Sequence, residues 1–220
     1  MMMQLIVREL GMCVYAAALA LQEEILARKI AGDSNDYLLL LEHEPVYTLG
    51  RGADGADLLG ADRGLGVPSF RVSRGGGATF HGPGQLVAYP LLTLGHGGRD
   101  VHRYVRALEE VLIRLCGDFG IAAERREALT GVWVGTAKIA SIGIGVRRWT
   151  TFHGIALNVS TDLSFFARIV PCRMPEVCMT SMALELGTAP PMAEVRGAFV
   201  HEFRSVFAYA EPAAMQECSA

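Results

Sequence analysis

Apolar positions along the chain follow two spacings. From Val101 to Leu115 they recur at Val101, Tyr104, Val105, Leu108, Val111, Leu112 and Leu115, the 3.6-residue repeat of a helix that lays one face on a core. Asp100 stands before this run as an N-cap and Gly117 after it as a stop, so the spacing predicts a helix over Val101–Gly117. His102 falls on its first turn and is expected in solvent. Val195, Phe199, Phe203 and Val206 repeat in the same way and predict a last helix over Pro190–Phe207. Gly11 to Arg28 is dense in Ala, Leu, Gln and Glu and lacks proline, the composition of another helix. The other signal is short apolar runs between turn residues, which read as strands. These are Gln4–Arg8, the unbroken Tyr37–Leu41, Val46–Leu49, Phe70–Ser73, Leu86–Tyr89, Ile121–Glu124, Gly131–Val134 and Trp149–Val159. Asp162–Ile169 reads as a short helix. Strands and helices mix without regular βαβ alternation. That argues for α+β, a mixed sheet with helices, over a doubly wound fold.

One stretch breaks both spacings. Arg74 to Pro90 reads RGGGATFHGPGQLVAYP. Side-chain bulk is nearly absent from Gly75 to Gly77, which lets a ligand approach main-chain N–H groups. Gly82-Pro83-Gly84 forms a second turn that cannot continue a helix. The reading is strand, glycine loop, rigid turn, strand, with Arg74 and His81 held at the loop. An empty glycine-rich hairpin is the plainer alternative. The conjunction of Arg, three glycines, Thr, His and Gln favours a binding loop.

Composition narrows the class. The chain has 220 residues, 51% hydrophobic and 20% charged, enough for one domain with a sizeable core. A net charge of −3 gives no electrostatic argument for nucleic acid. Apolar stretches such as Val14–Leu21 are too short to span a bilayer. The N-terminal MMMQLIVREL lacks the basic and apolar regions of a signal peptide. Five cysteines occur without regular spacing and without a CxxC pair, so neither a zinc site nor a disulfide framework is expected. The reading is a cytoplasmic protein with free thiols, no metal and no membrane contact.

Several residues are candidates for chemistry. Lys138 is flanked by small and apolar residues, which would remove water from its ammonium. Cys172 follows Pro171 after an apolar segment. A thiol beside a cation becomes a thiolate nucleophile, so a Lys138–Cys172 pair would suit acyl transfer. The alternative for Cys172 is a small buried hydrophobe. His81 and His153 each stand between Phe and Gly, in Phe80-His81-Gly82 and Phe152-His153-Gly154. Each is a candidate to line a pocket, or else a hydrogen-bonded core histidine. His43 reads as a strand-end histidine with a local hydrogen bond. Asn158-Val159-Ser160 matches a glycosylation sequon but is set aside without a secretion signal.

Taken together, three ordered segments resemble the lipoate-biosynthesis octanoyltransferase family, octanoyl-acyl-carrier-protein:protein N-octanoyltransferase. They are RGGGATFHGPGQLVAYP, then KIASIGIGVRRWTTFHGIALNV from Lys138 to Val159, then IVPCRMPEVCMTSM from Ile169 to Met182. The likeness runs from about Leu38 to Met182. One departure is Arg173, where the family usually has Gly after its nucleophile. The resemblance implies the lipoate and biotin protein ligase fold, with a single catalytic domain over 1–210; residues 211–220 are poor in structural signal and read as a flexible tail. It implies an acyl pocket lined by Arg74, Gly75, Gly76, Gly77, Ala78, Thr79, Phe80, His81, Ser141, Ile142, Gly143, His153, Gly154, Ile155 and Ala156. It implies Cys172 as acyl-thioester nucleophile and Lys138 as its activator. Cys13, Cys116, Cys178 and Cys218 match no functional position. No cofactor is implied. The implied donor is octanoyl-acyl carrier protein; the implied acceptors are lipoyl domains of 2-oxoacid dehydrogenase E2 subunits and the glycine cleavage H protein. Two other readings share these residues: an ATP-dependent lipoate ligase, which would survive Cys172→Ser, and a non-catalytic acyl-binding module, which would not turn over.

Overall fold

The structure, a computed structural model, describes residues 4–54, 57–58, 66–95, 99–170 and 177–210. Its spine is a seven-stranded mixed sheet in the order β1-β2-β6-β10-β9-β8-β7. The strands are β1 Leu5–Cys13, β2 Asp36–His43, β6 Gln85–Leu91, β7 Glu124–Arg126, β8 Leu129–Val134, β9 Ala137–Arg147 and β10 Thr150–Asn158. Only β1 and β2 run parallel in it; every other neighbouring pair is antiparallel. A second, three-stranded sheet has the order β4-β3-β5, from β3 Val46–Leu49, β4 Ser69–Arg71 and β5 Ala78–His81.

The sheet is covered on both faces. Helix α1, Tyr15–Ile30, crosses over between the parallel pair β1 and β2. Its Ala18, Ile25 and Leu26 pack on Tyr37, Leu39, Leu41, Val87, Tyr89, Phe152 and Ala156. Helices α2, Val101–Asp118, and α4, Met192–Phe207, cover the other face, where Leu108, Leu112, Phe199 and Phe203 meet Leu38, Leu40, Leu86, Ile155 and Leu157. The odd and even leucines of β2 therefore serve opposite cores, as strand alternation requires. This explains why Tyr37–Leu41 is apolar without a break. A third cluster, with Tyr47, Ala78, Phe80 and Phe166, lies under the small sheet.

The expected elements hold most closely where one face is strongly apolar. Helix α2 starts at Val101 with the Asp100 carboxylate accepting from the Arg103 N–H at 2.9 Å. Gly117 does not stop it; the helix runs to Asp118, and the chain turns at Gly120, with φ +78°. His102 is exposed. The expected start of α1 at Gly11 is displaced by strand. Gly11 to Cys13 pair with Leu41 to His43 across a bulge, and this pairing outweighs helical composition. The strand expected at Ile121–Glu124 lies later, at Glu124–Arg126. Asp162–Ile169 holds a 3-10 helix at Leu163–Arg168. A short helix α3, Met182–Leu186, had no signal of its own in the sequence.

Strand β9 is the largest addition. Its Ser141, Gly143 and Gly145 lower strand propensity, so periodicity does not reveal it. Their smallness has a tertiary cause. A Cβ on Gly145 would lie 2.4 Å from the Phe152 ring, and one on Gly143 2.9 Å from Arg74 Cδ. Arg148 and Trp149 link β9 to β10 with φ of 48° and 62° between the paired Arg147 and Thr150. Two positive-φ residues suit the tight turn that a twisted hairpin needs.

Candidate active site

The glycine loop joins β4 to β5 and is bonded on two sides. Gly52 N–H donates to Gly76 O at 3.0 Å, Arg51 N–H donates to Arg74 O at 3.0 Å, and Gly75 N–H donates to Ile144 O of β9 at 2.8 Å. Arg74 is buried and folds back over the loop. Its Nη2 donates to the carbonyl and hydroxyl oxygens of Thr48 at 2.8 and 2.9 Å, and its Nη1 donates to Gly75 O at 2.9 Å. The fork of a guanidinium can satisfy several acceptors in fixed geometry. Arg74 thus ties the loop to β3 and leaves positive charge in the wall behind it.

Between this loop, β9, β10 and the start of α1 lies a narrow cavity of about 40 Å³. Arg74, Gly76, Thr79 and His81 line it from one side; Ser141, Ile142 and Gly143 of β9 line it from another. His153, Gly154, Ile155 and Ala156 of β10 complete the wall, with Tyr15 and Tyr89. The resemblance assigned the whole run Arg74–His81 to a pocket wall, and strand alternation divides that run. Thr79 and His81 face the cavity, whereas Ala78 and Phe80 turn to the cluster under the small sheet. Gly77 accepts from the Gly50 N–H at 3.2 Å and Gly75 borders a second cavity.

The polar wall is built from aromatic rings. Tyr15 lies 5.1 Å from His43 and 6.4 Å from His81 between ring centroids, and His43 lies 5.7 Å from His81. His43 sits at the end of β2, with Nδ1 2.9 Å from Cys13 O and Nε2 2.7 Å from the Tyr89 hydroxyl. Those partners are close in space and far in sequence. Burial pushes the imidazoles of His43 and His153 down to about 4; Arg74 adds to the fall at His153. His81 is held well below 6.5 by burial first, then by His43 and Arg74. Burial raises Tyr15 to about 12 and Tyr89 well above its usual value. At neutral pH this wall is therefore uncharged apart from Arg74. His153 takes an unusual backbone, φ 55°, and its N–H donates to Gln22 Oε1 at 2.8 Å. Its buried Nε2 has no hydrogen-bond partner among the described residues, so it is not a satisfied core histidine.

Lys138, the second residue of β9, is buried, and its Nζ lies 5.4 Å from the centroid of the Trp133 ring. It borders the second cavity, of about 490 Å³, with Val105 of α2, Ala128 before β8, Leu129 and Thr130 at the start of β8, and Ile144. Gly76, Ile142 and Gly143 line both cavities. Two of these three carry no side chain. Cys172 lies outside the described residues, as does the tail from 211. Cys178 to Thr180, just beyond the Cys172 segment, lie against Lys138: Met179 bridges it in parallel. Among the described residues the cysteines Cys13, Cys116 and Cys178 are free thiols, and burial raises Cys116 to about 12. Among those residues no cluster of three or more His, Cys, Asp or Glu is placed to hold a metal, and no helix is long and apolar enough to cross a membrane.

A family profile described as the lipoyl protein ligase A/B catalytic domain matches residues 14–204. The chain belongs to that family. The octanoyltransferase of Geobacter metallireducens is 48% identical over 199 residues, which cover 90% of this chain and 92% of that protein. The octanoyltransferase of Solibacter usitatus is 50% identical over 203 residues, covering 91% of each. Among solved structures, a bipartite lipoate protein ligase of Thermoplasma acidophilum, from an archaeal lipoylation system, superposes with a TM-score of 0.74 at 19% identity, over 99% of this chain and 88% of that one. The biotin protein ligase of Aquifex aeolicus superposes with a TM-score of 0.52 at 12% identity, over 94% and 70%. These structures establish the shared fold. Within the family frame, four contributors to the site lie outside the expected set. Tyr15, Thr48 and Gln22 come from segments outside any motif. Tyr89 had a signal: a tyrosine in an otherwise apolar strand needs a partner for its hydroxyl.

Proposed function

We propose that this protein is an octanoyltransferase that moves an octanoyl group from octanoyl-acyl carrier protein to a lysine of a lipoyl domain. The observation that carries this reading is the 48% identity with a named octanoyltransferase across 90% of the chain and 92% of the relative. The two cavities, which share Gly76, Ile142 and Gly143 in their walls, suit an apolar acyl chain whose thioester end lies near Lys138.

In the first step the Cys172 thiolate attacks the thioester carbonyl. A C–S bond forms, and the carrier's thiolate leaves and takes a proton. Lys138 is the group that exchanges the Cys172 proton. One thioester replaces another at nearly equal free energy, so the step needs no ATP. In the second step the ε-amine of the acceptor lysine attacks the acyl-enzyme. An amide C–N bond forms, the Cys172 thiolate leaves, and Lys138 accepts the amine proton as general base. The stability of the amide drives this step. Acceptors are lipoyl domains of 2-oxoacid dehydrogenase E2 subunits and the glycine cleavage H protein, and the reaction runs in the cytoplasm.

The test is intact mass after mixing the protein with octanoyl-carrier protein without ATP. The expected result is one added octanoyl group, removed by hydroxylamine, mapped to Cys172 and discharged by an apo lipoyl domain. Octanoylation that requires free octanoate and ATP would instead make the protein a ligase. A label on Cys178, or on no cysteine, would remove Cys172 from its role.

A further inference from the structure

Residues of the three motifs are joined by a relay of buried side chains, ending in main-chain groups, whose hydrogen bonds all run one way. Gln85 fixes the direction. Its Nε2 lies 3.2 Å from Phe80 O and 2.9 Å from Asn158 Oδ1, so both of its protons are used. Its Oε1 can then only accept, and His81 Nδ1 at 2.8 Å must be the protonated nitrogen. His81 Nε2 is left as an acceptor, facing Thr48 Oγ1 at 3.3 Å. Thr48 Oγ1 already receives Arg74 Nη2 and Nε at 2.9 and 3.3 Å, so its own proton goes to His81. At the far end Asn158 Nδ2 donates to Thr180 O at 3.0 Å, and Thr180 N–H donates to Lys138 O at 3.0 Å. The order is Arg74, Thr48, His81, Gln85, Asn158, Thr180, Lys138. Asn158 and Gln85 are buried. Asn158 is thus no sugar acceptor; both of its amide atoms are engaged inside the protein.

We propose that Gln85 and Asn158 are positioning residues, which lock the neutral His81 in its Nδ1–H form and hold the Cys178–Thr180 segment against Lys138. The physical case is geometric. An amide that accepts on one atom and donates from the other transmits orientation between two elements, here the start of β6 and the chain beside β9. A buried amide in this position specifies one register, because slippage leaves unpaired polar groups. The consequence for turnover rests on the octanoyl-transfer reading; the relay itself does not.

The experiment uses the full-length chain, as parent and as Asn158→Ala. Histidine ¹⁵N shifts of the parent report the His81 tautomer, and Nδ1–H is expected. In Asn158→Ala, amide exchange at Thr180 and Lys138 is expected to quicken at least about tenfold, while Leu112 in α2 is unchanged. Octanoyl transfer is expected to show kcat lower by about 10- to 100-fold, with KM for octanoyl-carrier protein within about threefold. A parent His81 in the Nε2–H form overturns the relay. Exchange that quickens equally in α2 reduces Asn158 to a stability element and overturns the proposal, as does an unchanged kcat. If tautomer and exchange behave as expected but the parent transfers octanoyl from no donor, the relay stands and the functional reading fails.

Discussion

The main-chain N–H of Lys138 donates to the carbonyl oxygen of Cys178 at 2.8 Å. That bond places the end of the third motif on the lysine of the second. Cys172 stands six residues earlier in the sequence, and a proton exchange between it and Lys138 is the proposed step that the first variants probe.

Changing Lys138 to Arg keeps a cation but removes a base, since Arg stays protonated below ~12. Lys138→Arg is expected to form acyl-enzyme slowly and then stall. Lys138→Ala is expected to be slow in both half-reactions, with Cys172 titrating near the unperturbed ~8.5. Single-turnover acylation and deacylation, each followed by mass, separate the two cases. Parent rates in Lys138→Ala would end the dyad and turn attention to a histidine such as His81 or His153.

Gly131 holds the lysine from the neighbouring strand. Its φ is +124°, and a Cβ there would lie 2.5 Å from Lys138 Cε and 2.7 Å from Ala140 O. Gly131→Ala is expected to cost about 1–3 kcal/mol of stability and to slow both half-reactions. Gly135→Ala is the comparison, with φ +53° but open space around the new methyl. It is expected to cost about 1 kcal/mol and to keep the parent rates. Equal activity in the two variants would mean that Lys138 tolerates displacement.

Gly76 has φ +85°, and a Cβ there would meet Arg74 Nη1 at 3.4 Å on the wall shared by both cavities. Gly76→Val is expected to lower stability by about 1–3 kcal/mol and to abolish transfer while circular dichroism stays native. Normal turnover would make the loop a turn with no part in acyl binding.

Stability is expected to depend on pH through the buried histidines. In the unfolded chain each imidazole protonates near ~6.5. In the folded protein His43 and His153 do so only near about 4, and His81 also lies well below. Between those values the unfolded state binds more protons, so stability is full above ~6.5 and falls as pH drops toward 4. Each histidine contributes a slope of up to about 1.4 kcal/mol per pH unit in that window. Urea unfolding at a series of pH values measures it, and His43→Phe should flatten the curve. A curve that stays flat from neutrality to pH 4.5 would show that these imidazoles are already solvated.

The elements readable in the sequence were those with a local cause. Helix α2 and helix α4 carry a repeated apolar face, and β2 carries an unbroken apolar run. Where tertiary contact sets the outcome, the sequence carries no local signal. β1 extends through Gly11 to Cys13 because β2 lies beside it, and β9 accepts two glycines because Arg74 and Phe152 occupy the space their side chains would fill.

By itself the sequence determined the mixed α+β class, the family, and the residue types brought to the site: the arginine, the glycines, the two Phe-His-Gly histidines and Lys138. The elements and motifs depend on neighbours within a few positions, where propensity and spacing act, and the class and family on the order of those elements and motifs along the chain. Only the tertiary structure decided which of them face one another. It turned Thr79 and His81 inward and Ala78 and Phe80 away, brought Tyr15 and Tyr89 to the cavity, set Thr48 against Arg74 and His81, and made Asn158 an internal bridge. These outcomes follow from the pairing of strands far apart in the chain. A shift of one residue would exchange every inward side chain for an outward one.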